Sequence, residues 1–353
     1  MADAVADTHA DEIDTYNQRQ AKHERFWLDR LLSANPFSLS GHLATETRTQ
    51  KTPKTTSQEF ELNDTLKRNL KAAFPETDVA ALVASLFCCF LHRISDSTSF
   101  DIGLNNGGDK LSNTIQKLFS LITPLTLAIE NQKSLSTLVS ELSITLNSLK
   151  SKGHYAKDLI ARAPELEQTT FPVCLELLDE LPTDSPDTST PASVVLSLQN
   201  NTGNGQWTFD YSTLKQDQTN QFTDKFMLFL NNAAEQANTP LAKIGLLSVE
   251  ERQTLLVEWN QTDKSFDQSV CIHNLFEQQA EKRPEAIALT FREQEITYQE
   301  LNNQANQLAD KLITLGAKPD SLIGIFIERS IEMMIGLMAI QKAGAAYVPL
   351  DPA

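Results

Sequence analysis

Apolar residues recur at three- and four-residue spacing in some stretches of the chain and alternate or run unbroken in others. The change of period marks out its elements. From Asp14 to about Ser33, DTYNQRQAKHERFWLDRLLS places Phe26, Trp27 and Leu31 at helical spacing beneath a charged surface, which predicts an amphipathic helix. The run VAALVASLFCCFL, Val79 to Leu91, has no polar face and predicts a buried helix ending near Ile94, capped by Asp78. At thirteen residues it is too short to cross a bilayer. Asn63 is placed to cap LKRNLKAAF, and Leu135, Leu138, Leu142 and Leu146 form one stripe of a helix over SLSTLVSELSITLNSLKSK. TNQFTDKFMLFLNNAAEQA predicts a further helix.

Strand patterns lie between these helices. EFEL alternates, SFDIGL runs into a glycine turn, and KLFSLITPLTLAI is apolar enough for a buried strand with Pro124 at a bend or edge. VCLELLDEL is ambiguous between helix and strand. The clearest hairpin is VVLSLQ, the turn NNTGNG, and QWTFDYS, with Trp207, Phe209 and Tyr211 predicted on one face and Thr208, Asp210 and Ser212 on the other. TETRTQKTPKTTSQ and residues 182 to 193, PTDSPDTSTPAS, have the composition of loops. Mingled strands and helices make the region to about residue 245 an α/β or α+β domain.

After a connector, LLSVEERQTLLVEWNQTDKSFDQS, the pattern changes. HNLFEQQAEKRP predicts a helix stopped by Pro284, AIALTF and EITY short strands, and QELNNQANQLADKLITLG a helix stopped at Gly316. SLIGIFIE, SIEMMIGLMAIQKAG and AAYVPL then read as strand, helix, strand; the intervening helix forces a parallel crossover, and unbroken apolar strands of this kind are expected to be buried on both faces. No internal repeat is present.

Charge narrows the functional classes. With 46 acidic against 30 basic residues the formal net charge is −16, which repels nucleic-acid backbones and anionic membranes. MADAVADTHADEID is acidic, lacks an apolar signal core and predicts a flexible terminus. Cys88, Cys89, Cys174 and Cys271 lack zinc-ligand spacing, so a reducing cytoplasm fits them best. Among candidate chemical motifs, GLNNGGDK (Gly103 to Lys110) approaches a phosphate loop, but Asp109 stands where a lysine is needed and Leu111 where a hydroxyl is needed. GNG at 203 to 205 precedes a strand and reads as a hairpin turn. His154 and Asp158 are four apart, a spacing that would pair imidazole with carboxylate on one helical face, although a surface or helix-start pair is the simpler reading. Cys271 with His273 merely opens the second region, and Glu176, Asp179 and Glu180 read as a solvated face. No residue is assigned a catalytic, cofactor-binding or metal-binding role.

EITYQEL (295 to 301) followed by IQKAGAAYVPLDPA (340 to 353) resembles the first two signature blocks of the adenylation domains of nonribosomal peptide synthetases. LLSVEERQTLLVEWNQT resembles the segment that joins such a domain to a preceding condensation domain. HERFWLDRLLS is similar to the helix between the two condensation lobes, SFDIGLNNGGD to the block after it, and KLFSLITPLTLAI and GHYAKDLIARAPEL to the two that follow. The resemblance implies a chloramphenicol-acetyltransferase-like condensation half-domain, a mixed sheet with helices, plus an incomplete α/β adenylation subdomain. Its implied layout is an acidic flexible N-terminus at 1–13, a condensation-like C-terminal lobe at 14–245, a linker at 246–270 and the N-terminal part of an adenylation domain at 271–353. The family's HHxxxDG motif is absent, since none of the six histidines adjoins another, and SLIT stands where the family has an FVNT-like block. The glycine-rich ATP loop of the family lies beyond the blocks present here. For the parent the resemblance implies ATP, Mg and phosphopantetheine as cofactors, none bound by this chain. As partners it implies the condensation N-terminal lobe, the rest of the adenylation domain and a peptidyl carrier protein. Alone, the chain is expected to lack both activities. A non-catalytic scaffold or docking lobe for a synthetase partner is the alternative, and an acyltransferase relying on His154 is a third.

Overall fold

The computed structural model describes residues 2–39, 55–95, 97–107, 113–163, 169–182 and 192–352. The chain forms two units, Met1–Asn260 and Gln261–Ala353. The first opens with α1 (Ala2–Ala21) and α2 (Glu24–Leu32). The single helix expected from Asp14 is therefore split by a turn at Lys22 and His23, and residues 2–13, expected to be flexible, are the first turns of α1. Alanines at 2, 4, 6 and 10 supply the helix propensity that acidity alone does not reveal. Then come β1 (Thr55–Phe60), α3 (Asp64–Ala73) and α4 (Val79–Ile94), the two helices capped as predicted: Asn63 Oδ1 accepts from Leu66 N, and Asp78 Oδ1 from Ala80 N and Ala81 N.

β2 (Ser99–Asn105), α5 (Asn113–Leu118), β3 (Thr123–Ala128), α6 (Leu135–Lys152) and α7 (Asp158–Arg162) follow. The stretch expected as one long strand around Pro124 is thus a short helix and a strand. β4 (Val173–Leu178) resolves the ambiguous VCLELLDEL, β5 (Val194–Gln199) and β6 (Gly205–Asp210) form the hairpin, and α8 (Gln216–Glu235) returns across them. The strands make one sheet in the order β1-β6-β5-β4-β2-β3, with β3 and its Pro124 at an edge where a missing N–H is tolerated. β2, β4 and β5 run parallel and the other pairs antiparallel, so the C-terminal ends of three strands meet at one margin of the sheet.

The core lies between the sheet and α4, α6 and α8. Trp207 of β6 is held edge-on by Phe87 of α4 at 5.6 Å and Phe226 of α8 at 5.5 Å, and all three are buried; such ring pairs add about 0.5–1.5 kcal/mol each beyond area burial. The polar face predicted for β6 is also covered: Thr208 and Asp210 are buried, so the sheet is enclosed on both sides there. Arg93 ties the end of α4 to the carbonyls of Leu241 and Ile244. The unit closes with α9 (Val249–Gln253), whose capping box joins Ser248 and Glu251, and a wider π turn at Thr254–Glu258.

In the second unit α10 (Ile272–Lys282) leads to the antiparallel pair β7 (Ile287–Phe291) and β8 (Gln294–Thr297) and then α11 (Tyr298–Thr314). Thr297 and Glu300 form its capping box, and Gly316 ends it at φ +103°. β9 (Leu322–Ile325), α12 (Ile331–Lys342) and β10 (Ala346–Pro349) make the predicted parallel crossover. Ile296, Leu301, Ile331 and Ile335 form its core. Contrary to the expectation of double burial, β10 is exposed along its length and Leu322 of β9 is 75% exposed, because within this unit two strands have only α12 to cover them. Lys342 of α12 is withdrawn from solvent onto Glu277 of α10, with its ammonium over the Phe276 ring. Among the described residues no helix is long and apolar enough to cross a membrane.

Candidate functional site

The margin where β2, β4 and β5 end is where open sheets with parallel strands ordinarily place a ligand. β2 runs out at Asn105, and Asn106 with Gly107 turns the chain away; Gly107 adopts φ +53° against the carbonyl of Leu177 in β4. Two adjoining cavities open here. The larger, about 130 Å³, lies between α1 and the end of α6, with Arg19, Asn106, Lys150 and His154 on its walls. The smaller, about 70 Å³, reaches the N-terminus of α4 and is bounded by Asp78, Asn147 and Asn200; Asn106 and Lys150 line both.

His154 is buried, and its Nδ1 is hydrogen-bonded to Tyr16 Oη at 2.8 Å. Gly153, at φ +62°, ends α6 and sets His154 on a loop, so the imidazole and Asp158 do not share a helical face as their spacing allowed. Asp158 instead opens α7 at the surface and pairs with Arg162, which also grips Glu24 through two bonds of 2.9 and 3.1 Å. The Gln20 amide nitrogen, turned toward the loop, donates to Lys152 O at 2.9 Å and His154 O at 3.2 Å, so α1 is fastened to this margin by side chains far apart in sequence.

The remaining candidates are dispersed. Glu176, expected on a solvated face, is half-buried in the sheet, where it accepts from Ser197 Oγ at 2.7 Å and Asn105 Nδ2 at 3.3 Å. The register aligns Asn105, Glu176 and Ser197 across three strands, a placement that no local pattern reveals. Asp179 is exposed and accepts from Asn200 Nδ2, and Glu180 is exposed. Gly103 of the GLNNGGDK stretch lies in β2, while Gly108 to Leu111, including Asp109 and Lys110, are outside the described residues. Of GNG at 203 to 205, Gly203 and Asn204 lie in the β5–β6 turn and Gly205 opens β6. Burial pushes the Cys88 thiol up to about 12 and raises Cys89 and Cys174 as well, so none of these three is a nucleophile at neutral pH. Cys271 is exposed at the head of α10, where its N–H donates to Asn274 Oδ1. Among the described residues no cluster of three His, Cys, Asp or Glu side chains is arranged to hold a metal. Sequence reasoning missed Asn106, Lys150 and Tyr16; the doubled asparagine at the end of an apolar strand was the available signal for the first.

Comparison with known proteins gives two family matches in succession: the condensation domain over residues 7–256 and the AMP-binding enzyme over residues 276–353. A linear gramicidin synthase of Brevibacillus parabrevis is 48% identical over 145 residues, 41% of this chain and 3% of that protein. Tyrocidine synthase 3 of the same organism is 37% identical over 190 residues, 53% of this chain and again 3% of that protein. The chain thus matches only a small part of these relatives' length. The crystal structure of the nonribosomal peptide synthetase FmoA3 superposes with a TM-score of 0.70 at 18% identity, covering 95% of this chain and 38% of that one. A four-domain synthetase, holo-AB3403, bound to AMP and glycine, gives 0.68 at 17% identity over 93% of this chain and 28% of that one. At such identities the likeness is one of fold.

Proposed function

Because the chain belongs to the condensation-domain family, in the form found in nonribosomal peptide synthetases with part of an AMP-binding region behind it, we propose that it is the framework joining two stations of a synthetase module. In this reading residues 14–245 are the C-terminal lobe of the condensation domain, 246–270 the linker and 271–353 the first part of the adenylation domain. The whole module would activate an amino acid with ATP, load it on a phosphopantetheine carrier and form peptide bonds in the cytoplasm. Its partners would be the N-terminal condensation lobe, the rest of the adenylation domain and a peptidyl carrier protein, with no role for nucleic acid or membrane.

The observation that carries this reading is the order of the two matches, condensation at 7–256 and AMP-binding at 276–353, in one chain with a short connector. Of the residues present, LIGI of β9 and AYVP of β10 offer no cation to a triphosphate. What these residues supply is support. Ser330 caps α12 through Met333 N, and the parallel pair gives a rigid base on which further strands can add. The test is amino-acid-dependent exchange of labelled pyrophosphate into ATP. The 353-residue chain is expected to give none, whereas fusion at Ala353 to the remainder of an AMP-binding domain from a gramicidin synthase gives exchange. Exchange by the chain alone, or a fusion that folds but stays inert with every proteinogenic amino acid, refutes the reading.

A further inference from the structure

Residues 163–214, which supply β4, β5 and β6, include eight acidic residues and not one lysine, arginine or histidine. So unbalanced a run sets up a negative potential that draws cations to the strands it forms. Trp207 points toward α4 and α8, so Gln206, its neighbour in the strand, points to the opposite face of the sheet. On that face the register brings Glu59, Gln206, Ser197 and Glu176 into one row across β1, β6, β5 and β4. Glu176 is half-buried, yet the groups that serve it are neutral: Ser197 Oγ donates at 2.7 Å and Asn105 Nδ2 at 3.3 Å, and among the described residues no lysine, arginine or histidine pairs with it. On the other side of Ser197, the Gln206 side chain is 5% exposed; its Nε2 donates to Pro182 O at 3.4 Å, while its Oε1 has no hydrogen-bond partner among the described residues. A carboxylate withdrawn from water without a counter-ion and a buried acceptor without a donor are both costly, and one donor-bearing cation relieves the two together.

The chemistry of the ligand follows from these acceptors. Three stand in sequence along the row: the Glu176 carboxylate, the lone pairs of Ser197 Oγ, whose proton is spent on Glu176, and Gln206 Oε1. Paired strands lie about 4.8 Å apart, so the outer two side chains are anchored roughly 10 Å from each other with the short serine between them, and both are long enough to lean over it. An ammonium has three donors and no acceptor, which matches this set one for one, whereas a guanidinium carries five N–H groups in a plane and finds too few partners. A single carboxylate balances a single positive charge. Calcium, by contrast, takes about six to eight oxygens, and among the described residues no cluster of three His, Cys, Asp or Glu side chains is arranged to hold a metal. We propose that this face of β4, β5 and β6 binds a primary ammonium group, with Glu176 supplying the charge and Ser197 Oγ and Gln206 Oε1 the remaining hydrogen bonds. Glu59, exposed beside Gln206 on β1, continues the negative row to the edge of the sheet. The site lies wholly within the first unit and does not depend on the amino-acid-activation reading.

The experiment uses the 353-residue chain. n-Propylammonium is titrated at constant pH and ionic strength, with sodium as the balancing cation, and binding is read from the midpoint of thermal unfolding and from the side-chain chemical shifts of Gln206 and Glu176. Saturable stabilisation is expected, with none from potassium or from tetramethylammonium, which has the charge but no N–H. Glu176→Gln, which keeps the shape and removes the charge, weakens binding at least roughly tenfold. Gln206→Met, which keeps the length and removes the acceptor, weakens it as well, and Glu180→Gln, an exposed acid outside the row, leaves it unchanged. If Glu176→Gln does not fold, Gln206→Met carries the test by the same criterion. Competition separates the sources of such a group: Nα-acetyl-lysinamide displaces propylammonium if the natural ligand is a lysine side chain, and glycinamide does so if it is the α-ammonium of a small amine. Displacement by either at the Gln206 and Glu176 resonances supports the site, and displacement by neither counts against it. Equal stabilisation by potassium or tetramethylammonium, unaltered binding in Glu176→Gln, or no saturation up to roughly 50 mM propylammonium, far weaker than specific sites bind, overturns the proposal.

Discussion

Gly107→Ala isolates the turn that ends β2 and shapes the cavity margin. The residue holds φ +53°, and a Cβ there would fall on Leu177 O, much nearer than the 3.0 Å that such atoms essentially never breach. The left-handed backbone costs an L-residue about 1–2 kcal/mol. The overlap is with backbone of β4, which is held in the sheet between β2 and β5 and cannot rotate away like a side chain, so a further ~1–3 kcal/mol is expected for the displaced packing. A central loss of about 3 kcal/mol corresponds, for a unit of this size, to roughly 6–12 °C in unfolding midpoint. Tryptophan fluorescence suits the measurement, since Trp27 and Trp207 are buried in this unit's core while Trp259 is already exposed. Gly245→Ala provides the comparison: its added Cβ meets only Asn232 Nδ2 at 3.5 Å, an ordinary contact, and the midpoint should barely move. If Gly107→Ala unfolds within a degree or two of the parent, or no lower than Gly245→Ala, the geometry assigned to this turn is wrong.

Two further outcomes concern titration. His92 is buried at the end of α4 against Phe100, and burial lowers its pKa below 6.5, with Asn131 raising it and Arg93 lowering it as smaller influences. The unfolded chain therefore takes up a proton here that the folded chain resists, so stability falls as pH drops below about 6.5; chemical denaturation of His92→Phe should show a shallower loss over that range, and an identical slope would count against the burial argument. In the second unit the hydrogen bond from Lys342 is the largest influence holding the Glu277 carboxyl below its usual 4.5. That pair contributes stability above the ordinary carboxylate pKa, and the contribution disappears as pH falls through the lowered folded value. In Lys342→Met the Glu277 midpoint, followed by carboxyl carbon shifts, should move up toward 4.5; an unmoved midpoint rejects the pairing.

What the sequence by itself determined were the elements whose signals are local. Asn63 and Asp78 could be read as caps because a capping bond spans two or three residues, and the stripe of Leu135, Leu138, Leu142 and Leu146 announced α6 because helical neighbours recur within a turn. The hairpin of β5 and β6 and the crossover of β9, α12 and β10 were legible for the same reason, as were the blocks that gave the family away. The tertiary structure alone decided which distant residues meet. Glu176 left its predicted solvated face because parallel pairing set it between Asn105 and Ser197, and His154 found Tyr16, 138 positions away, rather than Asp158. Local spacing constrains neighbours on one element, whereas the sheet's strand order and the glycine at 153 select partners across the fold, and no short-range pattern encodes that choice.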